Sequence, residues 1–248
     1  MNELLYEGKT KSIYSSPEKE NYIIRFTDTV TALNGERKEE LPGKGQLNAA
    51  ISNLIYAHLG KHGVKTHFIK QLDETSILVR KAEIIKAECI VRNIAAGSFS
   101  KKYGVPEGTK LKNTVVEFSL KNDELNDPMM NESQITAIGL ASKQELKGMN
   151  RLALRINKLL TILFLKAGIK LIDFKIEFGR CALKTIDADY KSELILCDEI
   201  SPDSCRLWDA DTNERMDKDR FRMDLGGVLN GYRDVLAKLN YACTRRAV

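Results

Sequence analysis

The sequence predicts an α+β fold, with a β-rich first third followed by a larger mixed region, and three observations predict it. Short strand-like runs crowd roughly the first 80 residues, in LLYEGKTKSIYSS, NYIIRFTD and HFIKQL…TSILVRKAEII, separated by polar turns. A long helical stripe begins after Ser142. The stretch that follows it, LIDFKIEFGR (171–180), alternates with the period of a strand. A chain of 248 residues is long enough for one large or two modest domains.

Taken in order, the β-rich region is interrupted by one helix over residues 45–63, which Gly60 and Gly63 bring to a close. Before it, DTVTALNGERKEELPGKG (28–45) is polar and glycine-bearing, and reads as a loop, either functional or a surface connection. The later helix carries its own start and stop signals. Ser142 and Glu145 form a capping box, and Gly168 stands where a C-terminal cap belongs. Leu146, Met149, Leu152, Ala153, Ile156, Leu159, Leu160, Leu163 and Phe164 recur at helical spacing, and that stripe is core. It delivers the chain into 171–180, and SELILCDE (192–199) follows as a second strand. A last helix is predicted from DKDRFRMDLGG through VLNGYRDVLAKL.

Composition narrows the function. Charged residues make up 29% and the formal charge is +5, with bases and acids interleaved. The absence of a continuous basic stripe argues against nucleic-acid binding and leaves local sites for small anions. The longest apolar stretch, LLTILFL (159–165), is far short of a membrane span, and the first residues do not read as a secretory signal. The five cysteines include no Cys-x-x-Cys pair, which suits reduced thiols and a cytoplasmic location. His58 and His62 have a spacing that could place two metal ligands on one helix face, but the neighbouring glycines favour ordinary helix-end histidines.

The strand 171–180 places Ile172, Phe174, Ile176 and Phe178 on one face and Asp173, Lys175 and Glu177 on the other. The second face is either solvated or a site. A hairpin centred near Asp187 and Ala188 sets Glu177 opposite Asp198. Two carboxylates about 4 Å apart repel by roughly 4 kcal/mol at an effective dielectric near 20. Lys175 or a divalent cation would relieve that, and oxygen-only ligands favour Mg²⁺. ECIVRNIAAGSFSKKYG (88–104) runs a strand into small residues and a helix, so Arg92 and Ser98 mark an anion-binding turn or an ordinary one. YEGKTKSIY (6–14) sets Gly8 at a tight turn with Lys9 and Lys11 after it, a phosphate-covering loop or a solvated hairpin; it is not a Walker A sequence. SLKNDELNDPMMNES (119–133) and SPDSCRLWD (201–209) are dense in polar groups, with Trp208 read as packing.

Together, YEGKTKSIY, VRNIAAGS, SLKNDELNDPMMNE, LIDFKIEFG, DEISPDSCRLWD and DKDRFRMDLGG resemble the SAICAR synthetase family of purine biosynthesis, in its order and over nearly the whole chain. Two departures stand out: Lys86 where the family usually has Pro, and a longer segment between Gly179 and Ser192. The resemblance implies a kinase-like, β-rich ATP lobe (1–84) and a larger α+β domain (85–248) related to ATP-grasp enzymes, with the site between them. It implies ligation of 5-amino-1-(5-phosphoribosyl)imidazole-4-carboxylate to L-aspartate at the expense of ATP, and a homodimer.

The resemblance also implies roles. Glu177 and Asp198 would hold Mg²⁺. Gly8, Lys9 and Lys11 would cover the ATP phosphates, and Lys81 and Ile84 would lie at the adenine hinge. Lys175 would stabilise charge between nucleotide and ribotide, and Asp173 would orient it or the substrate. Arg92, Ser98 and Arg206 would grip the ribotide phosphate, while Lys121, Asp123 and Asp203 would lie near the amino-acid pocket. Two other readings compete: a small-molecule kinase, which would need no aspartate, and a noncatalytic module that binds anions without ATP turnover.

Overall fold

Two sheets and one shared helix organise the chain in the computed structural model, which describes residues 2–32, 35–182 and 192–244. The first sheet contains β1 (Leu4–Glu7), β2 (Lys11–Ser15), β3 (Asn21–Phe26), β6 (Phe68–Gln71) and β7 (Ser76–Arg80), in the order β1-β2-β3-β7-β6 and antiparallel throughout. Ile77, Leu78 and Val79 form a continuous buried run, as befits an interior strand.

The region read as a polar loop is instead a ribbon of β4 (Thr29–Ala32) and β5 (Arg37–Glu40). The reason lies in its apolar minority. Val30 and Ala32 pack against Phe221, and the Asp28 carboxylate accepts from the N–H groups of Gly43 and Gly45 at 3.1 and 2.9 Å. The helix α1 (Lys44–Lys61) follows directly. It serves both sheets: Ala49 packs with Phe26, Ile77 and Val79, whereas Ile51, Ile55, Tyr56 and Leu59 enter the larger core.

The second sheet is built on β12 (Ile169–Ala182), a strand of 14 residues. It runs β11-β10-β9-β12-β13, with β14 (Cys205–Asp209) and β8 (Glu83–Ile84) also paired to β12. The other members are β9 (Ala87–Ile94), β10 (Lys110–Leu120), β11 (Met129–Met130) and β13 (Ser192–Cys197). The short helices α2 (Gly97–Tyr103) and α3 (Glu132–Ala137) link them. The long helix α4 (Lys143–Lys166) opens with the expected reciprocal Ser142–Glu145 capping box and closes at Ala167, with Gly168 at φ 68°. Its buried stripe, Leu146 through Phe164, covers the sheet.

Two expectations about the C-terminal third change. The final helix is two helices, α5 (Asp219–Arg222) and α6 (Val228–Thr244), because Asp224, Gly226 and Gly227 adopt left-handed backbone that no helix carries through. The hairpin register differs by one residue, with Glu177 opposite Cys197. The turn expected near 187–188, and most of the long 179–192 segment, lie outside the described residues.

Candidate active site

A one-residue slip should send Asp198 to the wrong face. It does not, because Asp198 lies just beyond β13 with φ 60°, and that left-handed turn swings its side chain back toward Glu177. Its carboxylate accepts from Lys11 Nζ, which also pairs with Glu199 at 2.9 Å. Glu177 accepts from Lys121 Nζ, and Lys175 Nζ donates to Glu88 at 2.5 Å. Glu88 and Glu177 are both almost fully buried. The line of acid, base and acid on β12 is therefore the floor of a site and not a solvated face.

The electrostatics follow from this crowding. Burial and the charge of Asp198 push the Glu177 carboxyl up, against Lys121 and Lys175. Burial alone would raise Asp198 as well, but Lys11, Lys121 and Lys175 outweigh it and hold that carboxyl well below its ordinary range. Burial opposes the charge of Lys175, yet Glu88, Asp198 and Glu177 raise its pKa. The buried Glu177 and the half-buried Asp198 are neighbouring carboxylates, oxygen donors only and already neutralised by ammonium groups, which is a donor set for a hard divalent cation.

The opposite end of the β12 face is an arginine cluster. Arg92, on β9, donates through Nη1 to Asp173 at 2.9 Å and through Nε to Glu117 at 2.6 Å, and its Nη2 lies 3.4 Å from Ser98 Oγ. Arg206, on β14, donates through Nη1 to Asp173 at 2.9 Å and through Nε to Asp219 at 2.7 Å. Gly97, at φ 54°, backs this cluster: a Cβ there would sit 2.4 Å from Arg206 Nη2, so a larger residue would push the guanidinium aside. Burial raises the Asp173 carboxyl although Arg206 and Arg92 pull it down.

The remaining expected residues fall at different places. Gly8 N–H donates to the Lys11 carbonyl at 2.8 Å, closing the tight turn. Lys9 pairs with Asp123 at 2.7 Å on the exposed rim. Lys81 is exposed, with its ammonium 4.6 Å from the centre of the Tyr22 ring and its N–H donated to the Glu20 carbonyl. Ile84 pairs with Gly179 on β12, and the Lys86 carbonyl accepts from Lys121 N–H at 3.1 Å. Asp203 is engaged by three partners: Lys44 at 2.6 Å, Asn48 at 2.9 Å and the Tyr232 hydroxyl at 2.5 Å. Burial opposes its charge, but Lys44 and Lys218 hold its carboxyl down to about 2.

Several site residues escaped the sequence reading. Glu88 had a usable signal, since it shares one face of β9 with Arg92 at strand spacing. Glu199, Lys218 and Arg222 lie inside DEISPDSCRLWD and DKDRFRMDLGG, but nothing in their spacing singled them out, and Lys44 had no signal. Lys218 is notable because, among the described residues, its ammonium has no carboxylate within 4.0 Å and one hydrogen bond, to Thr31 Oγ1 at 3.4 Å. Burial lowers its pKa to about 8, with Arg222 and Lys44 adding to the effect and Asp203 and Glu199 opposing it. Arg222 lies close by, on Asp219 at 2.6 Å.

An acid–lysine cluster at one end, an arginine fork at the other and the Lys218 ammonium nearby form a charged surface of the kind enzymes use to bind several anions at once. The SAICAR synthetase family profile matches residues 4–239. The phosphoribosylaminoimidazole-succinocarboxamide synthase of Clostridium perfringens is 48% identical over 96% of this chain and 97% of its own. The crystal structure of the Ehrlichia chaffeensis phosphoribosylaminoimidazole-succinocarboxamide synthase superposes with a TM-score of 0.91 at 46% identity, covering 96% of this chain and 98% of the other. A type-2 structure of SAICAR synthetase in complex with ADP gives 0.87 at 39% identity, over 95% and 97%. The chain belongs to the SAICAR synthetase family, and its α+β fold is that family's fold. Among the described residues no helix is long and apolar enough to cross a membrane.

Proposed function

We propose that this cleft joins 5-amino-1-(5-phosphoribosyl)imidazole-4-carboxylate to L-aspartate while ATP becomes ADP and phosphate. As a SAICAR synthetase family member the chain is an ATP-dependent carbon–nitrogen ligase of de novo purine biosynthesis. The observation that carries the residue assignment is the β12 face, where Asp173, Lys175 and Glu177 connect the arginine cluster to the carboxylate–lysine cluster.

A carboxylate resists attack by an amine, so it must first be activated. The ribotide carboxylate oxygen attacks the γ-phosphorus, ADP leaves, and an acyl phosphate forms. The aspartate amine then attacks the acyl carbon, loses a proton, and phosphate departs with the C–O bond electrons. Every participant is anionic, so positioning and charge neutralisation do most of the work. Lys11, at the glycine turn, moves from Asp198 to the nucleotide phosphates, and Lys9 approaches them from the rim. Glu177 and Asp198 fit Mg²⁺, with Lys121 displaced from Glu177; the ion would supply charge neutralisation at the triphosphate. Lys175 neutralises charge between the γ-phosphate and the carboxylate under attack. Arg92, Arg206 and Ser98 hold the ribotide phosphate, and Asp173 fixes both guanidiniums.

For the amino-acid substrate, Lys218 and Arg222 are the cations to receive carboxylates, with Lys121 and Asp123 on the far rim; Asp203 holds Lys44 and Tyr232 in place beneath. Backbone groups between Lys81 and Ile84 face the adenine. The chain divides near residue 84 into an ATP lobe and a ribotide domain, works in the cytoplasm and pairs as a homodimer. The test of the reaction is ADP release with each of the three substrates omitted in turn. ADP should appear at the full rate only when all three are present. A stable phosphorylated product formed without aspartate would make the protein a kinase, and tight anion binding with no turnover would make it a binding module.

A further inference from the structure

Within the segment DKDRFR (217–222), Asp219 has no role in the steps above, yet it touches an arginine of each substrate site. Asp219 is almost fully buried, and each of its oxygens serves a different arginine. Oδ2 accepts from Arg206 Nε at 2.7 Å and Oδ1 from Arg222 Nη1 at 2.6 Å. The turn that carries it is anchored to β14, the strand bearing Arg206. Asp217 accepts from Leu207 N–H and Asp219 N–H, both at 2.7 Å. Arg206 is thus held on two sides, by Asp173 through Nη1 and by Asp219 through Nε. Arg222, with a side chain 38% exposed, has Asp219 as its one ion-pair partner among the described residues. A guanidinium reads phosphate or carboxylate through its plane, so whatever fixes that plane governs affinity.

We propose that Asp219 is a positioning residue that ties the two anion sites together, one oxygen orienting Arg206 for the ribotide phosphate and the other orienting Arg222 for a carboxylate of the amino-acid substrate. The inference rests on the site assignments of the proposed function and goes beyond them, because it makes a residue that touches neither substrate set the affinity for both.

The test is Asp219→Asn in the full chain, with ribose 5-phosphate and succinate as calorimetric probes of the two sites and Mg²⁺-ADP as the control, alongside the three KM values. Affinity for both probes should fall at least about tenfold, since each arginine loses a charge-assisted partner. Mg²⁺-ADP should change by less than about twofold, being bound elsewhere. Asp219→Glu, which keeps the charge but shifts both contacts by a methylene, should weaken both probes less than the amide does, and it takes the place of Asp219→Asn if that variant does not fold. Loss at one site only, no loss at either, or an equal loss for Mg²⁺-ADP would overturn the proposal. Wild-type protein lacking aspartate- and ribotide-dependent ADP release would instead overturn the functional reading beneath it.

Discussion

The two ends of β12 solve opposite problems with different cations. At the Glu177 end the partners are lysines: Lys11 on Asp198, Lys121 on Glu177 and Lys175 on Glu88. At the Asp173 end they are arginines, and Arg92 and Arg206 share one carboxylate. A lysine is a compact charge on a flexible stem and can exchange one anion for another, whereas an arginine fork is planar and keeps its geometry. The lysine end suits a triphosphate and a metal ion that enter and leave in every turnover. The arginine end suits a phosphate monoester that must be held in one place while its carboxylate reacts. Burial alone does not set what a site can bind; the ability of its ion pairs to rearrange does.

The largest effect is expected at the lysine end. Glu177→Gln keeps the shape but removes one of the two carboxylates proposed to hold the metal, so turnover should fall about 10²- to 10³-fold, as for loss of a transition-state charge contact. The thermal midpoint should change little, and near-normal turnover would contradict the metal role. At the arginine end, Arg92→Ala should raise the ribotide KM by ~10- to 150-fold, the equivalent of losing a charge-assisted hydrogen bond of ~1.5–3 kcal/mol, with the ATP KM nearly unchanged. An equal rise for both substrates would erase the division between the two ends. Arg92→Lys should recover only part of the loss, because the charge survives and the fork does not.

The bare ammonium gives a pH prediction. Burial lowers Lys218 to about 8, so it is charged below that pH and loses its proton as pH rises through it. Thr31 from β4, Lys44 from α1, Glu199 and Asp203 from the β13–β14 connection and Arg222 from α5 face it. Succinate, which has no amine to titrate, should bind up to about tenfold more weakly per pH unit above 8. Lys218→Arg should remove that dependence, and a pH-independent wild type would dismiss Lys218 as the carboxylate site. The smallest effect belongs to the rim. Lys9 pairs with Asp123 in the open, where ion pairs contribute little, so Lys9→Met should change the ATP KM by no more than about fivefold.

What the sequence shows well is local. The Ser142–Glu145 capping box, the stripe of α4 and the alternation of β12 each depend on residues a few positions apart, and each stands in the structure. What it hides is set by distant partners or by backbone sign. The Val30–Phe221 packing turns a polar loop into a ribbon. A left-handed Asp198 repairs a register slip that period-two reasoning cannot see. Lys44 and Lys218 acquire meaning only when α1, β4 and the turn before α5 meet: DKDRFRMDLGG marks the region of Lys218 without saying what its ammonium faces, and nothing beside Lys44 announces a buried charge.

In the proposed reaction Glu177 and Asp198 together receive the cation that accompanies ATP. Crystals grown with ADP and Mn²⁺, measured at the manganese absorption edge, test it most directly. An anomalous peak should appear within coordinating distance of both carboxylates, with Lys11 and Lys121 moved off them onto the nucleotide. A peak elsewhere, with Lys11 still on Asp198 and Lys121 still on Glu177, would contradict it.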